Sequence, residues 1–402
     1  MSLNYQTARV AQIKPSPSIT ISVKARTLVA QGRDIIDMSL GEPDFDTPEH
    51  IIEAAYQAMR KGNTRYTAPD GTAELKAAII HKFKTENGLN FTPQQISVGN
   101  GAKQVIYNAL AATLDEGDEV IVPAPYWVSY TDMVLLLGGR PVVIPCLYSE
   151  EFKLTPEKLA ASLTPKTRWL LINSPSNPSG ATYTRDELVA LGEVLEKYPN
   201  VLIMSDEIYE HILYTDEKYC SFLEACPNLH ERMLIVNGVS KAYAMTGWRI
   251  GYGAGPAGLI STMGKLQSQI TSNPCSISQA ASIAALTGPQ DFPAMALKEY
   301  QKRREIAVAG FEAIPGLNLV PPSGAFYAFP EITELLGKRT PAGHVITNGT
   351  DFAAYMLDQA GVAGVPGGAF GLENYFRISF ALSQEKLEAA LNNMRTAVAQ
   401  LV

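Results

Sequence analysis

Between Ile96 and Val236 the chain alternates short apolar or β-branched runs with stretches of helical spacing. The runs are Ile96-Ser97-Val98, Glu119–Val122, Val142–Ile144, Trp169–Ile172, Val201–Met204 and Met233–Val236; Gln104–Leu114 and Arg185–Lys197 read as helices. Strands separated by helices do not close as hairpins but return in parallel through crossovers. The pattern predicts an α/β domain with a mainly parallel sheet flanked by helices. Such sheets bind ligands beyond the C-terminal ends of their strands, so the residues that follow each run are where chemistry is expected.

The flanks are organised differently. Glu49–Lys61 has helical spacing, opened by Asp46-Thr47-Pro48 as a cap with a first-turn proline, and Ala73–Asn87 is a helix ended by Gly88. Two prolines in Lys14-Pro15-Ser16-Pro17-Ser18 exclude regular structure there and mark the joint after an N-terminal arm. Beyond Leu286 a long helical stretch runs to about Ala313, then strands are expected at Leu317–Val320 and Ala325–Phe329. A helix at Gly349–Ala360, a strand at Tyr375–Phe380 and a closing helix from Gln384 complete a smaller α+β domain. The expected division is an arm at 1–14, a large domain at 46–286, and a small domain built from 15–45 and 287–402.

Composition narrows the partners. With 402 residues, 46% hydrophobic and 18% charged, the chain can bury a large core. No apolar stretch approaches the roughly 18–20 residues of a membrane span; Met133–Leu137 is stopped at once by Gly138 and Gly139. A net charge of -7 disfavours nucleic acid or an anionic membrane as partner, but not a small anion met by a local cation cluster. Met1–Lys14 lacks the pattern of a signal peptide. Cys146, Cys220, Cys226 and Cys275 form no CxxC, and the five histidines are scattered, so reduced, mostly buried thiols in a cytoplasmic protein and no metal site are expected.

Four strand ends carry candidate chemistry. Ile96–Val98 leads into Gly99-Asn100-Gly101-Ala102-Lys103 and a helix, where backbone N–H groups and the helix dipole favour a phosphate; a short Gly turn is also an ordinary connection. Leu170–Ile172 ends in Asn173-Ser174-Pro175-Ser176-Asn177-Pro178-Ser179-Gly180, turn chemistry that also presents the Asn177 amide to a ligand oxygen. Val201–Met204 runs into Ser205-Asp206-Glu207-Ile208-Tyr209, and a carboxylate there either caps the next helix or meets a cation. Met233–Val236 runs into Asn237-Gly238-Val239-Ser240-Lys241. The Gly, Ala, Met and aromatic residues around Lys241 would lower its pKa and free its amine for carbonyls, with Arg249 offering a donor fork to phosphate.

Pyridoxal 5′-phosphate requires these parts together: a lysine, a carboxylate opposite its ring nitrogen, and phosphate donors; Trp127 in Pro125-Tyr126-Trp127 adds an aromatic face. The stretch Ser240-Lys241-Ala242-Tyr243-Ala244-Met245-Thr246-Gly247-Trp248-Arg249-Ile250-Gly251-Tyr252 resembles the lysine signature of class I, fold-type I pyridoxal-phosphate aminotransferases. Gly41-Glu42-Pro43-Asp44-Phe45-Asp46-Thr47-Pro48, Asn177-Pro178-Ser179-Gly180 and Ser205-Asp206-Glu207-Ile208-Tyr209 are similar too, in the same order. The resemblance covers nearly the whole chain and is nearest to the bacterial aspartate-type subgroup, Iβ.

It implies the fold-type I architecture, with a seven-stranded type of sheet in the large domain. It implies that Lys241 binds the cofactor aldehyde and later moves the proton. Asp206 would pair with the ring nitrogen, Tyr209 and Asn177 would bond the ring hydroxyl oxygen, and Trp127 would stack on the ring. Gly101, Ala102, Ser240 and Arg249 would hold the phosphate, with Lys103 at the mouth of that turn. Tyr66, beside Pro69-Asp70-Gly71, would reach the phosphate of a neighbouring subunit, implying a homodimer with shared active sites. Arg377 would bind the substrate α-carboxylate, assisted by Gly41 and Asn177. The substrates implied are an amino acid and a 2-oxo acid, aspartate with 2-oxoglutarate first, in ping-pong turnover. Lys103 is associated in the subgroup with the distal carboxylate of acidic substrates, although it could instead bond helix or loop carbonyls. Nearby aromatics leave room for aromatic or prephenate-type substrates.

Other readings use parts of the same set. A β-eliminating or aminocyclopropane-carboxylate-forming enzyme would share the lysine and aspartate, and product analysis separates it. A nicotinamide dehydrogenase lacks its glycine fingerprint here. A silent regulator on the same scaffold is disfavoured by the intact Lys241 and by the lack of a preceding DNA-binding segment.

Overall fold

A computed structural model describes residues 5–13 and 15–402; the rest of the expected arm, and Lys14, lie outside the described residues. The first half contains α1 (Pro17–Ala30), β1 (Ile36–Asp37), α2 (Glu49–Arg60), α3 (Ala73–Asn87), β2 (Ile96–Asn100), α4 (Ala102–Thr113), β3 (Glu119–Ala124), α5 (Ser129–Leu136) and β4 (Arg140–Pro145). It continues with α6 (Pro156–Ser162), β5 (Thr167–Asn173), α7 (Arg185–Glu196), β6 (Leu202–Asp206), α8 (Phe222–Ala225), β7 (Met233–Gly238) and β8 (Ile250–Ala254). The remainder is α9 (Ala257–Ile270), α10 (Ser276–Thr287), α11 (Asp291–Glu312), β9 (Tyr327–Ala328), α12 (Gly349–Tyr355), β10 (Val362–Ala363), β11 (Val365–Pro366), β12 (Phe376–Ser379) and α13 (Gln384–Val398).

Seven strands form one sheet in the order β2-β8-β7-β6-β5-β3-β4. β8 runs antiparallel to both of its neighbours, and the other pairings are parallel. In the central strands β5, β6 and β7 the apolar runs are unbroken because both faces are buried, whereas the edge strand β4 buries only Ile144 fully. Leu170 and Ile172 of β5, Ile203 of β6 and Ile235 of β7 pack into one core. Their neighbours Trp169, Leu171, Met204, Leu234 and Val236 pack into a second core on the opposite face. Full burial of each such side chain is worth about 1.5–3 kcal/mol. A third core lies beneath β9 and β12 and holds Phe326, Phe376 and Ile378 with Ala307 and Phe311 of α11 and Leu387 and Leu391 of α13. Two small sheets belong to this part, β1-β10 and β11-β12-β9. Among the described residues no helix is long and apolar enough to cross a membrane.

Several local expectations change. Pro17 does not exclude regular structure: it opens α1, with Ser16 as N-cap, because the first helical position needs no N–H. Pro48, not Asp46 or Thr47, occupies the N-cap of α2, and the Thr47 hydroxyl donates to the Ala244 carbonyl at 2.7 Å. Leu317–Val320 is not a strand; Asn318 makes only an isolated bridge to Glu331. Four thiols are free, Cys146 and Cys226 buried and Cys275 exposed. The unanticipated strand of the large sheet is β8, whose glycines conceal it. A Cβ on Gly251 would lie 2.0 Å from the Ala102 amide nitrogen, so only glycine lets β8 pass beneath the start of α4.

Candidate active site

β2, β3, β5, β6 and β7 end along one edge of the sheet, and the residues after them close around a cavity of about 330 Å³. Gly41, Ala102, Lys103, Trp127, Asn177, Asp206, Tyr209, Ser240, Lys241, Arg249 and Arg377 all line it. Gly101 stands beside it as the N-cap of α4. Tyr66 is not brought in: it lies between α2 and α3, 89% exposed.

Asp206 is the last residue of β6 and projects on the Met204 face, where Tyr130 packs. Its carboxylate accepts the Tyr130 hydroxyl at 2.6 Å and the Ile208 N–H at 3.3 Å. Burial pushes its pKa up to about 6, against these hydrogen bonds and the nearby Lys241. It is therefore not spent as a helix cap. A cation facing it would hold it ionised.

Lys241 follows β7 and donates to the Gly41 carbonyl at 2.6 Å, with the Tyr209 ring 5.8 Å and the Phe326 ring 6.0 Å away. Burial lowers its pKa to about 8; Glu42 opposes the shift, while Arg249 and Arg377 add to it. A substantial fraction of this amine is thus neutral near pH 8 and able to act as nucleophile or base.

The start of α4 forms an anion cradle. Gly101 has φ +78°, and a Cβ there would lie 2.5 Å from Arg249 Nη2, so glycine admits the guanidinium to the helix N-terminus. Arg249 is held by the Thr246 carbonyl at 2.9 Å, and Ser240 borders the same space. A phosphate fits this donor set of helix N–H groups, a hydroxyl and a guanidinium.

Across the cavity, Arg377 of β12 is 2% exposed and stands between the Tyr327 and Phe370 rings, 4.8 and 5.0 Å away. It donates to Asn177 Oδ1 at 3.1 Å and to the Ser39 carbonyl. Its Nε has no hydrogen-bond partner among the described residues. A buried guanidinium with a donor left over suits a carboxylate. Lys103 Nζ lies 4.7 Å over the Trp127 ring and bonds no helix or loop carbonyl among the described residues. Burial lowers its pKa, as does Arg249.

The model for "Aminotransferase class I and II" matches residues 33–394. The chain belongs to this aminotransferase family. It is 52% identical over 392 residues to the aspartate/prephenate aminotransferase of Cereibacter sphaeroides, 98% of each chain being covered. It is 51% identical over 394 residues to an aspartate aminotransferase of Rhizobium meliloti, covering 98% of this chain and 96% of that one. Among solved structures, the aspartate aminotransferase of Rhizobium meliloti superposes with a TM-score of 0.96 at 50% identity, covering 99% of this chain and all of the other. That of Thermus thermophilus with maleate gives 0.92 at 41% identity over 98% of this chain and all of the other. The chain is thus an aminotransferase enzyme with the α/β fold of these proteins.

Two lining residues of this aminotransferase escaped sequence reasoning. Tyr130 stands in the same Pro125–Tyr130 stretch as Trp127, but nothing local marks it as the donor to Asp206. The Tyr327 hydroxyl lies 2.7 Å from that of Tyr209, and a Cβ on Gly41 would come within 2.1 Å of it. Alternation marks Tyr327 as a strand residue without telling which face it takes.

Proposed function

We propose that this aminotransferase transfers the amino group between L-aspartate and 2-oxoglutarate, with pyridoxal 5′-phosphate held at Lys241. The observation that carries this reading is the pairing of a depressed-pKa amine, Lys241, with a buried carboxyl, Asp206, at adjacent strand ends of one cavity. Lys241 would bind the cofactor aldehyde, Asp206 would face its ring nitrogen, and Trp127, Tyr209 and Asn177 would hold the ring. Gly101, Ala102, Ser240 and Arg249 would hold its phosphate. When bound, the cofactor supplies an aldehyde carbon for the substrate amine and an electron-withdrawing ring.

The protein's own residues supply the rest. The Lys241 amine takes the substrate's Cα proton as general base and returns a proton as general acid. Asp206, ionised beside a cation, keeps a proton on the ring nitrogen, which is electrostatic stabilisation aimed at the reacting centre. Arg377 and Asn177, with Gly41 nearby, fix the α-carboxylate. Lys103 meets the distal carboxylate of an acidic substrate. This is supported by its lack of a carbonyl partner among the described residues and by aspartate in the names of the relatives. A second reading, transfer to prephenate, is favoured by the aromatic Trp127–Tyr130 wall and by the name of the Cereibacter relative.

The same reading includes a cytoplasmic homodimer in which Tyr66 reaches the neighbouring subunit's phosphate. Its 89% exposure supports this. The division into an arm, a large domain at 46–286 and a small one from 15–45 and 287–402 is supported by the separate sheets, with Ile208, Tyr209 and Ile212 joining the small-domain core. Borohydride reduction of the cofactor-loaded enzyme followed by peptide mapping tests the assignment. The expected label is on Lys241, and a label elsewhere or none at all refutes it. Two half-reactions, with keto acid released before the second substrate binds, are expected in single-turnover assays.

A further inference from the structure

Behind the cavity lies a buried polar cluster that the reaction as described does not use. Lys82 and Asn87 of α3, Glu210 and Asn237 are each at most 7% exposed. Lys82 Nζ donates to Glu210 Oε1 and, at 2.8 Å, to Asn87 Oδ1. Asn87 Nδ2 donates to Glu210 Oε2 at 2.9 Å, and Asn237 Nδ2 to Glu210 Oε1 at 2.7 Å. Glu86 and His211 at the rim bring ligand-type atoms within 4.8 Å of those of Glu210. The Lys82 ammonium already stands among them, 3.5 Å from Glu86 Oε2, so this locus holds its own cation. Burial opposes ionisation of Glu210, but Lys82 and His211 outweigh it and bring its pKa to about 2.

The place of this cluster in the topology matters more than its charge. Glu210 follows Tyr209 directly and Asp206 by four residues; Asn237 precedes Lys241 by four. The β6–β7 ladder ends at the pair Asp206↔Val236, with one further bond from the Glu207 N–H to the Val236 carbonyl at 2.8 Å. Beyond it Asn237 and Gly238 pair only with β8. No backbone hydrogen bond among the described residues ties 208–211 to 237–241. The two segments that carry Tyr209 and Lys241 are therefore joined past the ladder by the Glu210–Asn237 side-chain bond. Asn237 Oδ1 also accepts the Gly238 N–H at 2.7 Å, which stiffens the start of the lysine segment.

We propose that Glu210 and Asn237 are positioning residues: the hydrogen bond from Asn237 Nδ2 to the side-chain oxygen at position 210 sets the spacing between the Asp206–Tyr209 segment and the Lys241 segment. This rests on Lys241 carrying the cofactor. A displacement of about 1 Å at a reacting group can cost about 10²-fold in rate, so a loosened segment has a measurable price.

The test compares wild type, Asn237→Ala and the double variant Lys82→Met/Glu210→Gln as cofactor-loaded enzymes. Readouts are the pH midpoint of the visible band of the lysine-bound cofactor, the single-turnover rate with aspartate, and thermal unfolding. Asn237→Ala cuts the link but keeps the buried ion pair, and should lose about tenfold in rate. It should also shift the midpoint by about half a unit or more. The double variant removes the charges but keeps an oxygen for Asn237, and should retain the wild-type midpoint even if its melting temperature changes. A wild-type midpoint in Asn237→Ala overturns the inference, as does the same shift in the double variant, since the cluster would then act only through stability. A wild type with no visible band refutes the cofactor assignment itself and takes this inference with it.

Discussion

Removing one hydroxyl tests how the carboxylate at the heart of the site is kept ionised. Among the described residues Asp206 has two donors, the Tyr130 O–H at 2.6 Å and the Ile208 N–H at 3.3 Å. Tyr130 is 2% exposed, and burial together with the Asp206 charge pushes its own pKa well above the usual tyrosine value, so it remains a donor. Tyr130→Phe keeps the ring and deletes the donor. A hydrogen bond to a charged group is worth about 1.5–3 kcal/mol, and one pKa unit corresponds to about 1.4 kcal/mol. The Asp206 carboxyl of the cofactor-free protein, already raised to about 6, should therefore rise by a further one to two units.

The sign of the effect follows. A raised carboxyl pKa means that the protonated form gains, so the variant has less carboxylate to face the ring nitrogen near neutrality. The rate should fall by about 3- to 25-fold at pH 6.5 and recover as pH rises, moving the acidic limb of the kcat profile upward by about one to two units. Carboxyl-carbon NMR titration of the cofactor-free protein reads the same shift directly. An acidic limb and a titration both unmoved, with kcat within twofold of wild type, would refute the claim that Tyr130 holds this charge.

Two further outcomes are expected. Lys103→Ala should lower kcat/KM for aspartate at least about tenfold more than for phenylalanine, because loss of a charge-assisted bond matters only to a substrate with a distal carboxylate; equal losses would remove Lys103 from specificity. Gly251→Ala should destabilise the fold by about 1–3 kcal/mol and weaken cofactor retention, since its Cβ would meet the Ala102 amide at 2.0 Å. Unchanged melting and retention would show that the start of α4 does not need the close approach that Gly251 allows.

What could be read in advance follows from how the chain is buried. Strands with two buried faces must be apolar along their length, and six of the seven large-sheet strands were visible as apolar or β-branched runs, the half-exposed edge strand β4 through Val142–Ile144. β8 was hidden because Gly251, Gly253 and Gly255 carry no apolar signal, and its glycines are there for close backbone approach. The third core was only partly legible: β9 and β12 lie within the longer runs Ala325–Phe329 and Tyr375–Phe380, whereas the two-residue strands β1, β10 and β11 have no such run around them.

The site divides along the same line. Sequence alone determined that a lysine, an aspartate, a glycine turn and an asparagine loop would follow successive strands, because parallel topology brings strand ends to one edge. It also placed Arg377 in the resemblance, though not within reach of any partner. Only the tertiary structure decided which groups meet: Tyr130 with Asp206, Tyr209 with Tyr327, Arg377 with Asn177 and Ser39, and Glu210 with Asn237. Those pairs are separated by 27 to 338 residues, and their distances depend on register and packing rather than on local composition. Residue type states what a side chain can do, and the fold supplies the partner and the dielectric that move its pKa.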